Sequence, residues 1–405
     1  MSARACVVTG LGAVTGFGAG VAAFRDGLFA ARTATRIQES DVGDGVRPHA
    51  TAAAPDAQAT AGLAQAAGLG TAARVTQLAL LAAREAWQQA QFDDSLDHDR
   101  VGLIVGRSFA GHEIIGNVTR TLWERGPSAV SALQFVSSIS NSVLGSLAMH
   151  FKLRGPSMLH FGGVPLGPAF EDLRLGRADA MLVGACDELS EYVRFWCERR
   201  GLAAHVTPGN GARPYDRDRD GFVPGDGAAF LVIEREDVAR ARGARVLARL
   251  EGYAIVSDRR GTSVAIERDD ADIAASVLRA LADSGRSRSE VAFVSGSASG
   301  VTGEAALDAC EPRALGIGLE REIPLFSHKG AAGETWGVAG MLASIATILT
   351  LAGRTVPPTA GTATPQTTGA HIVTGAPESY DGSVGIALAL DLLGQDSTYV
   401  FARAS

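Results

Sequence analysis

The chain has almost no lysine: of 37 basic residues only Lys152 and Lys329 are lysines, and the rest are arginines. Cysteine is scarce too. Cys6, Cys186, Cys197 and Cys310 are far apart and show neither a CxxC pair nor a Cys/His metal spacing, which excludes a disulfide framework and a zinc site and fits a reducing, cytoplasmic setting. No long run of like charge occurs, and 44 acidic residues outweigh the basic ones to leave a net charge of -7. The electrostatic footprint of a nucleic-acid binder is therefore missing. The N-terminal MSARACVVTGLGAV lacks a charged segment followed by an apolar one, and no uninterrupted apolar run approaches the roughly 20 residues that span a bilayer. Neither export nor membrane embedding is expected.

What is present is apolar bulk. With 405 residues, 46% hydrophobic and 20% charged, the chain can bury a large core as one domain or two fused ones. Six runs read as short buried strands: 5–14, 101–108, 179–188, 228–236, 291–299 and 385–393. Between them lie Ala/Leu-rich helical patterns at 76–91, 272–285 and 337–353. Apolar strands alternating with helices predict an α/β protein whose sheets are covered on both faces. The order also repeats: TQLALLAAREAWQQA, a linker and VGLIVG are matched by DIAASVLRALADSG, a linker and VAFVSG. This suggests two similar halves joined near residue 240, although helix, linker and strand is a common succession in any α/β chain.

Four stretches carry a resemblance: CVVTGLGAVTGFGAGVAAFRDGLFAARTA at the start, LRGPS at 153–157, RPYDRDRDGFVPGDGAAFLVIEREDVARARGARVLARLEGY at 213–253, and SHKGAAGETWGVAGMLASIATILTLAGRTVPPT at 327–359. They closely resemble the β-ketoacyl-acyl-carrier-protein synthases of the condensing-enzyme family. The resemblance implies the thiolase fold, two duplicated α/β halves in a five-layer αβαβα arrangement. Residues 1–240 would form the N-terminal half with the nucleophile segment and the dimer strand, and 241–405 the C-terminal half with the histidine positions. No metal and no organic cofactor is implied.

Working members of that family use a Cys at the N-terminus of a buried helix, two His that serve decarboxylation and enolate stabilisation, and a Lys that sets their electrostatics. Counting from Gly155-Pro156 puts Val164 at the Cys position, while counting back from DAMLVGACDE makes the stretch shorter than usual, so the position is either substituted or deleted. Pro165 beside it lacks a backbone N–H. Ser297 falls at the first His position and Glu334 at the second, and Lys329 is retained. An ionised Glu cannot donate to an enolate, and its charge opposes the one that develops. The Gly-rich gating loop near the family's C-terminus is matched by DLLGQDSTYVF (391–401), with the aromatic gate and most glycines gone. Cys186 and Cys197 read as small buried hydrophobes, and His160 and His328 as satisfied structural residues.

Among such relatives the chain is most similar to the chain-length factor, or ketosynthase β subunit, of type II polyketide synthases, on LWERGPSAVSALQFVSSISNSVLGSLAMHFKLRGPS (122–157). It departs in lacking the Gln these subunits place at the Cys position. The implied role is non-catalytic. A catalytic ketosynthase would be the partner in a heterodimer, an acyl carrier protein would bring the growing chain, and neither nucleic acid nor membrane is involved. The dimer strand corresponds to SMLHFGG, with Met158, His160 and Gly163 at the interface together with Asn141. Side chains that end the acyl tunnel would come from GHEIIGNVTRTLW (111–123), where His112, Ile115 and Thr119 share one helix face, and from Phe135 and Ser138. That helix face either lines the tunnel or simply packs on the core. The small Thr119 would suit a moderately long, linear or polyene-like product. The alternatives are a degenerate ketosynthase homodimer with residual or repurposed acyl-transfer, decarboxylase or hydrolase activity through His160, Ser297 or Glu334, and a homodimeric scaffold for acyl carrier protein.

Overall fold

Runs that are apolar on both faces, such as VGLIVGR at 101–107 with every residue buried, must lie inside a sheet covered on both sides. A computed structural model describes residues 5–41, 45–55, 72–92, 96–163, 165–205, 211–260, 267–366, 369–391 and 394–404. Ten strands carry the architecture: β1 (Cys6–Thr15), β2 (Val101–Arg107), β3 (Ser157–Phe161), β4 (Ala180–Asp187), β5 (Gly227–Arg235), β6 (Ala248–Ser257), β7 (Val291–Gly296), β8 (Pro324–Ser327), β9 (Val384–Leu390) and β10 (Gln395–Arg403). The first five lie in the order β3-β2-β4-β5-β1 and the second five in the order β8-β7-β9-β10-β6. In both sets the second-listed strand pairs in parallel with its two neighbours and the remaining pairings are antiparallel. The duplication suggested by the sequence is therefore a repeat of topology. A short antiparallel contact, Cys6–Leu250 to Val8–Ala248, joins the two sheets through β1 and β6.

Eight helices matter here: α1 (Arg74–Ala90), α2 (His112–Arg125), α3 (Ala132–Ser138), α4 (Ser142–Phe151), α5 (Leu166–Arg174), α6 (Asp270–Ser284), α7 (Leu307–Leu319) and α8 (Ala339–Gly353). Helix α1 lies on β1, β5 and β4, while α6 lies on β6 and β10 with α7 against it. Between the sheets lie α5 and α8, each touching strands of both halves. The layers run helix, sheet, helix, sheet, helix. Leu166, Phe170 and Leu173 of α5 join Met341, Leu342 and Ile345 of α8 in the central core. Helix α8 is apolar all round, as a helix enclosed by sheets must be. The stretch Trp336–Gly353 is long and apolar enough to cross a membrane, and 83% of it is buried inside the protein.

Two glycines show how closely the layers approach. A Cβ on Gly12 of β1 would stand 1.8 Å from the Ala82 carbonyl oxygen of α1, and one on Gly340 of α8 would stand 2.4 Å from the carbonyl oxygen of Gly163. Both positions exclude any side chain. One reading is corrected: the segment 391–401 is not mainly a loop. Gln395–Arg403 is a strand, antiparallel to β9 and β6, because Ser397 to Phe401 offer hydroxyl, aromatic and β-branched side chains that are all buried.

Candidate functional site

The parallel strands of both halves end at one place, where buried carboxylates gather the loops that follow them. Asp187, at the end of β4, accepts backbone N–H bonds from Ser108 at 3.0 Å, Phe109 at 2.7 Å and Gly337 at 2.8 Å. It thereby ties the loop after β2 to the turn before α8. Burial pushes its carboxyl up to about 7, against the pull of those bonds. In the other half Asp308 and Glu311, one turn apart on α7, hold the loop after β7. Asp308 accepts from the backbones of Tyr215, Ser299, Gly300 and Val301. Glu311 takes the Ser297 N–H at 2.8 Å, the Ala298 N–H at 3.2 Å and the Tyr215 hydroxyl. Burial likewise raises the Glu311 carboxyl to about 7.

Ser297 is buried at the end of β7, and its hydroxyl faces only the backbone of Leu390, at 3.3 Å from the amide nitrogen and 3.4 Å from the carbonyl oxygen. The next residue, Asp391, accepts the Gly163 N–H at 3.4 Å. Lys329 follows β8 and is buried, with its Nζ 2.7 Å from Oε2 of Glu334. The other Glu334 oxygen accepts the Trp336 N–H at 2.9 Å. Both charges are thus spent on each other. Trp336 sits at φ 56, a left-handed conformation that costs an aromatic residue of order 1–3 kcal/mol. Its indole is buried among Phe109, Trp196 and Phe222, with ring centroids 5.0, 6.2 and 5.4 Å away.

Ser327 links the segments of Ser297 and Lys329, since Gly296 and Ser327 are registered partners on β7 and β8, and the Ser327 hydroxyl donates to the Ala298 carbonyl at 2.6 Å and accepts the Lys329 N–H at 3.2 Å. Ser297, Lys329 and Glu334 therefore gather at one centre. Val164 lies outside the described residues. His328 is buried beside Lys329 with neither ring nitrogen hydrogen-bonded, and burial, then the Lys329 charge, pushes its imidazole down to about 3. It is neutral and, among the described residues, packs edge-on against Phe24 without a hydrogen bond, which corrects the reading of a satisfied structural residue. His160 on β3 also leaves Nδ1 without a partner, and burial lowers its imidazole. Neither cysteine is an activated nucleophile: burial pushes the thiols of Cys186 and Cys197 well up, with Asp187 adding to the first and Glu334 to the second. Among the described residues no group of three His, Cys, Asp or Glu could hold a metal ion.

The second set of predicted residues lies elsewhere, on one face of the N-terminal half. Glu188 accepts the Gly111 N–H at 3.1 Å and fixes the start of α2. Arg107 holds the turn after α3 through the Ser140 carbonyl at 2.9 Å. No residue of α2 is buried, and Ile115 and Thr119 are exposed while His112 is half-buried, so this face does not pack on the core. Phe135 and Asn141 are exposed and Ser138 is half-buried. Strand β3 ends the sheet, with one edge paired to β2 and the other open among the described residues. Met158 and Phe161 on it are exposed, as are Leu133, Val136, Ile139 and Met149 of the adjoining helices and linkers. Gly163 is the exception and a correction: it is buried against Gly337 and Gly340, because the chain turns inward there to enter α5.

Asp187, Tyr215, Asp308, Glu311 and Trp336 were missed. An Asp closing a buried strand and the Asp/Glu pair at i, i+3 in LDACE were the available signals.

Two sheets that share one five-strand order, the second extended at its β8 edge by the short parallel strand His371–Ile372, enclose a pair of core helices with the site at the inner helix termini and define a thiolase-fold protein. The chain belongs to the β-ketoacyl synthase family: residues 3–239 match the β-ketoacyl synthase N-terminal domain and 247–363 the C-terminal domain. It is 30% identical over 269 residues to the 3-oxoacyl-(acyl-carrier-protein) synthase 2 of Vibrio cholerae, a match that covers 64% of this chain and 65% of that protein. The Vibrio harveyi protein of the same name is 31% identical over the same length. The match thus spans just under two thirds of these relatives. Among solved structures, a type II polyketide synthase acyl-carrier protein in complex with its ketosynthase bound to the hexaketide matches with TM-score 0.87 and 25% identity over both whole chains. The ishigamide ketosynthase/chain length factor matches with TM-score 0.88 and 24% identity over both whole chains, a likeness of fold.

Proposed function

We propose that this chain is a chain-length-factor subunit: a non-catalytic ketosynthase relative that pairs with a catalytic ketosynthase and shapes the acyl tunnel at their interface. The observation that carries the reading is the open edge of β3, which continues into the exposed apolar side chains of α3, α4 and β3 itself. An unpaired strand edge flanked by Met158, Phe161, Phe135 and Met149 is an invitation to pair with another chain. The interior supports it. Where an acid-base histidine is expected, Glu334 is neutralised by Lys329, and the cysteine thiols are held protonated by burial.

In this arrangement a pseudo-twofold interface is reused with two different chains. The exposed face of α2, with Ile115 and Thr119, points into the partner's acyl tunnel, and an acyl carrier protein delivers the chain to the partner. Residues 1–240 and 241–405 are the two halves of the subunit. The test is co-expression with a catalytic type II ketosynthase encoded beside it, then co-purification and a mass measurement. A stable one-to-one heterodimer is expected, and Met158→Lys, at a side chain already in water, is expected to abolish it without unfolding the chain. A homodimer that ignores the ketosynthase and accepts a stable acyl group would replace this reading with a repurposed enzyme.

A further inference from the structure

On the outer face of the N-terminal half, a cavity of about 350 Å³ lies between α1, the end of α4 and the turn at 98–100. Helix α1 contributes Arg84, Trp87 and Gln88, positions i, i+3 and i+4 on one helix face. The end of α4 contributes His150 and Phe151, followed by Lys152, and His98 closes the far side. No carboxylate lines it among the described residues. This is unusual for the chain, in which acidic residues outnumber basic ones. In the larger cleft around Arg313, by contrast, three of the five lining arginines face carboxylates: Arg313 with Asp270 at 2.8 Å, the buried Arg268 with Asp396 at 3.1 Å and Arg260 with Asp269 at 3.9 Å. Among the described residues neither Arg84 nor Lys152, one of only two lysines, forms an ion pair or a side-chain hydrogen bond, and the buried Nδ1 of His98 has no partner.

Like charges held together without a counter-charge raise the free energy of the folded chain. They are consistent with a site that an anion completes. The floor is aromatic: Trp87 lies 5.0 Å from Phe151, centroid to centroid, and stacks on His98 at 6.5 Å. We propose that this cavity binds a phosphate monoester, its phosphoryl group held by Arg84, Lys152 and His98 and its organic end laid against Trp87 and Phe151. Two full cations match a phosphate dianion, whereas a single carboxylate would leave one of them uncompensated. The volume exceeds that of a phosphate ion and falls at the lower end of small-molecule sites, roughly 300–1,000 Å³, which leaves room for the organic end.

Isothermal titration of the full chain with adenosine 5′-monophosphate and with 4′-phosphopantetheine tests the assignment, with adenosine and pantetheine as controls. Saturable binding of at least one ester, absent for its dephosphorylated control, is expected, and the tighter ester identifies the source of the phosphate. Arg84→Gln with Lys152→Gln is expected to weaken it by at least about tenfold. Neither side chain has a partner to lose among the described residues, so an unchanged circular dichroism spectrum is expected. His150 gives a second readout by NMR, because burial and then Arg84 hold its imidazole low, and a bound dianion among Arg84, His98 and Lys152 raises it. Failure of both esters to bind, or binding that the double variant leaves intact, overturns the proposal.

Discussion

Lys329→Met should destabilise the chain by about 3 kcal/mol, and the reason lies in what it leaves behind. The ammonium stands 2.7 Å from the Glu334 carboxylate, and the two side chains are only 3% and 6% exposed. Removing one member of a buried pair strands the other, which costs about 3–5 kcal/mol. Glu334 would keep one bond, from the Trp336 N–H at 2.9 Å, worth roughly 1.5–3 kcal/mol as a charge-assisted contact, so the loss falls at the lower end. Lys329→Met combined with Glu334→Gln removes both charges at nearly constant volume and should recover more than half of it. The assay is urea unfolding of the wild type, both single variants and the double variant, arranged as a double-mutant cycle. A cost below about 1 kcal/mol, the level of a solvent-exposed pair, or a double variant as unstable as the sum of its singles, would refute the argument.

Three further outcomes follow, two from the same centre and the helix beside it and one from the exposed helix α2. His328→Leu should flatten the pH dependence of stability on the acid side. The wild-type imidazole titrates near 3 in the folded chain instead of its ordinary 6.5, so its contribution is present above 6.5 and is lost as pH falls toward 3. The wild type should lose about 2 kcal/mol relative to the variant between pH 7 and pH 5, and equal losses in urea melts at the two pH values would contradict this. Gly340→Ala places a Cβ 2.4 Å from the Gly163 carbonyl oxygen and 2.6 Å from the Ala389 Cβ, and should cost about 3 kcal/mol; chemical unfolding at a wild-type midpoint would show that α8 can shift aside. Thr119→Phe, on an exposed position of α2, should leave the fold intact and, under the proposed function, shorten the product made with a ketosynthase partner, read by mass spectrometry.

Much of the fold was legible because it rests on local pattern. Continuous apolar runs gave β1, β2, β4, β5, β7 and β9, and the Ala/Leu-rich pattern at 272–285 gave α6, whose ends the structure sets at an Asp269 cap that accepts the Ala271 N–H and at a left-handed Gly285. Strands β6 and β10 escaped notice for opposite reasons. Residues of β6 alternate between buried and half-buried along RLEGYAIV, a period-2 signal diluted by the charged Arg249 and Glu251. Residues of β10 carry Asp396, Ser397 and Thr398 into the core, where polarity disguises a buried strand as a loop. Their pairing completes the five-strand order of the second sheet, so the shared order of the two halves emerged only in three dimensions.

The site was half legible. Motif spacing located Ser297, Lys329 and Glu334, and the structure brings them to one centre. What spacing could not convey is how the charges are disposed, since each buried carboxylate draws on partners from distant parts of the chain: Asp187 on Gly337, Asp391 on Gly163, Asp308 and Glu311 on Tyr215. This arrangement also accounts for ionisable groups in an interior that shows no activated nucleophile among the described residues. Asp187, Asp308 and Glu311 satisfy backbone N–H groups of loops that would otherwise be buried without acceptors, and Lys329 neutralises Glu334. Losing any one of them alone strands its partners at a cost of several kcal/mol, whereas keeping the whole set costs little. A centre bound together in this way can retain its charged residues on grounds of stability, with no acid-base reaction required to preserve them.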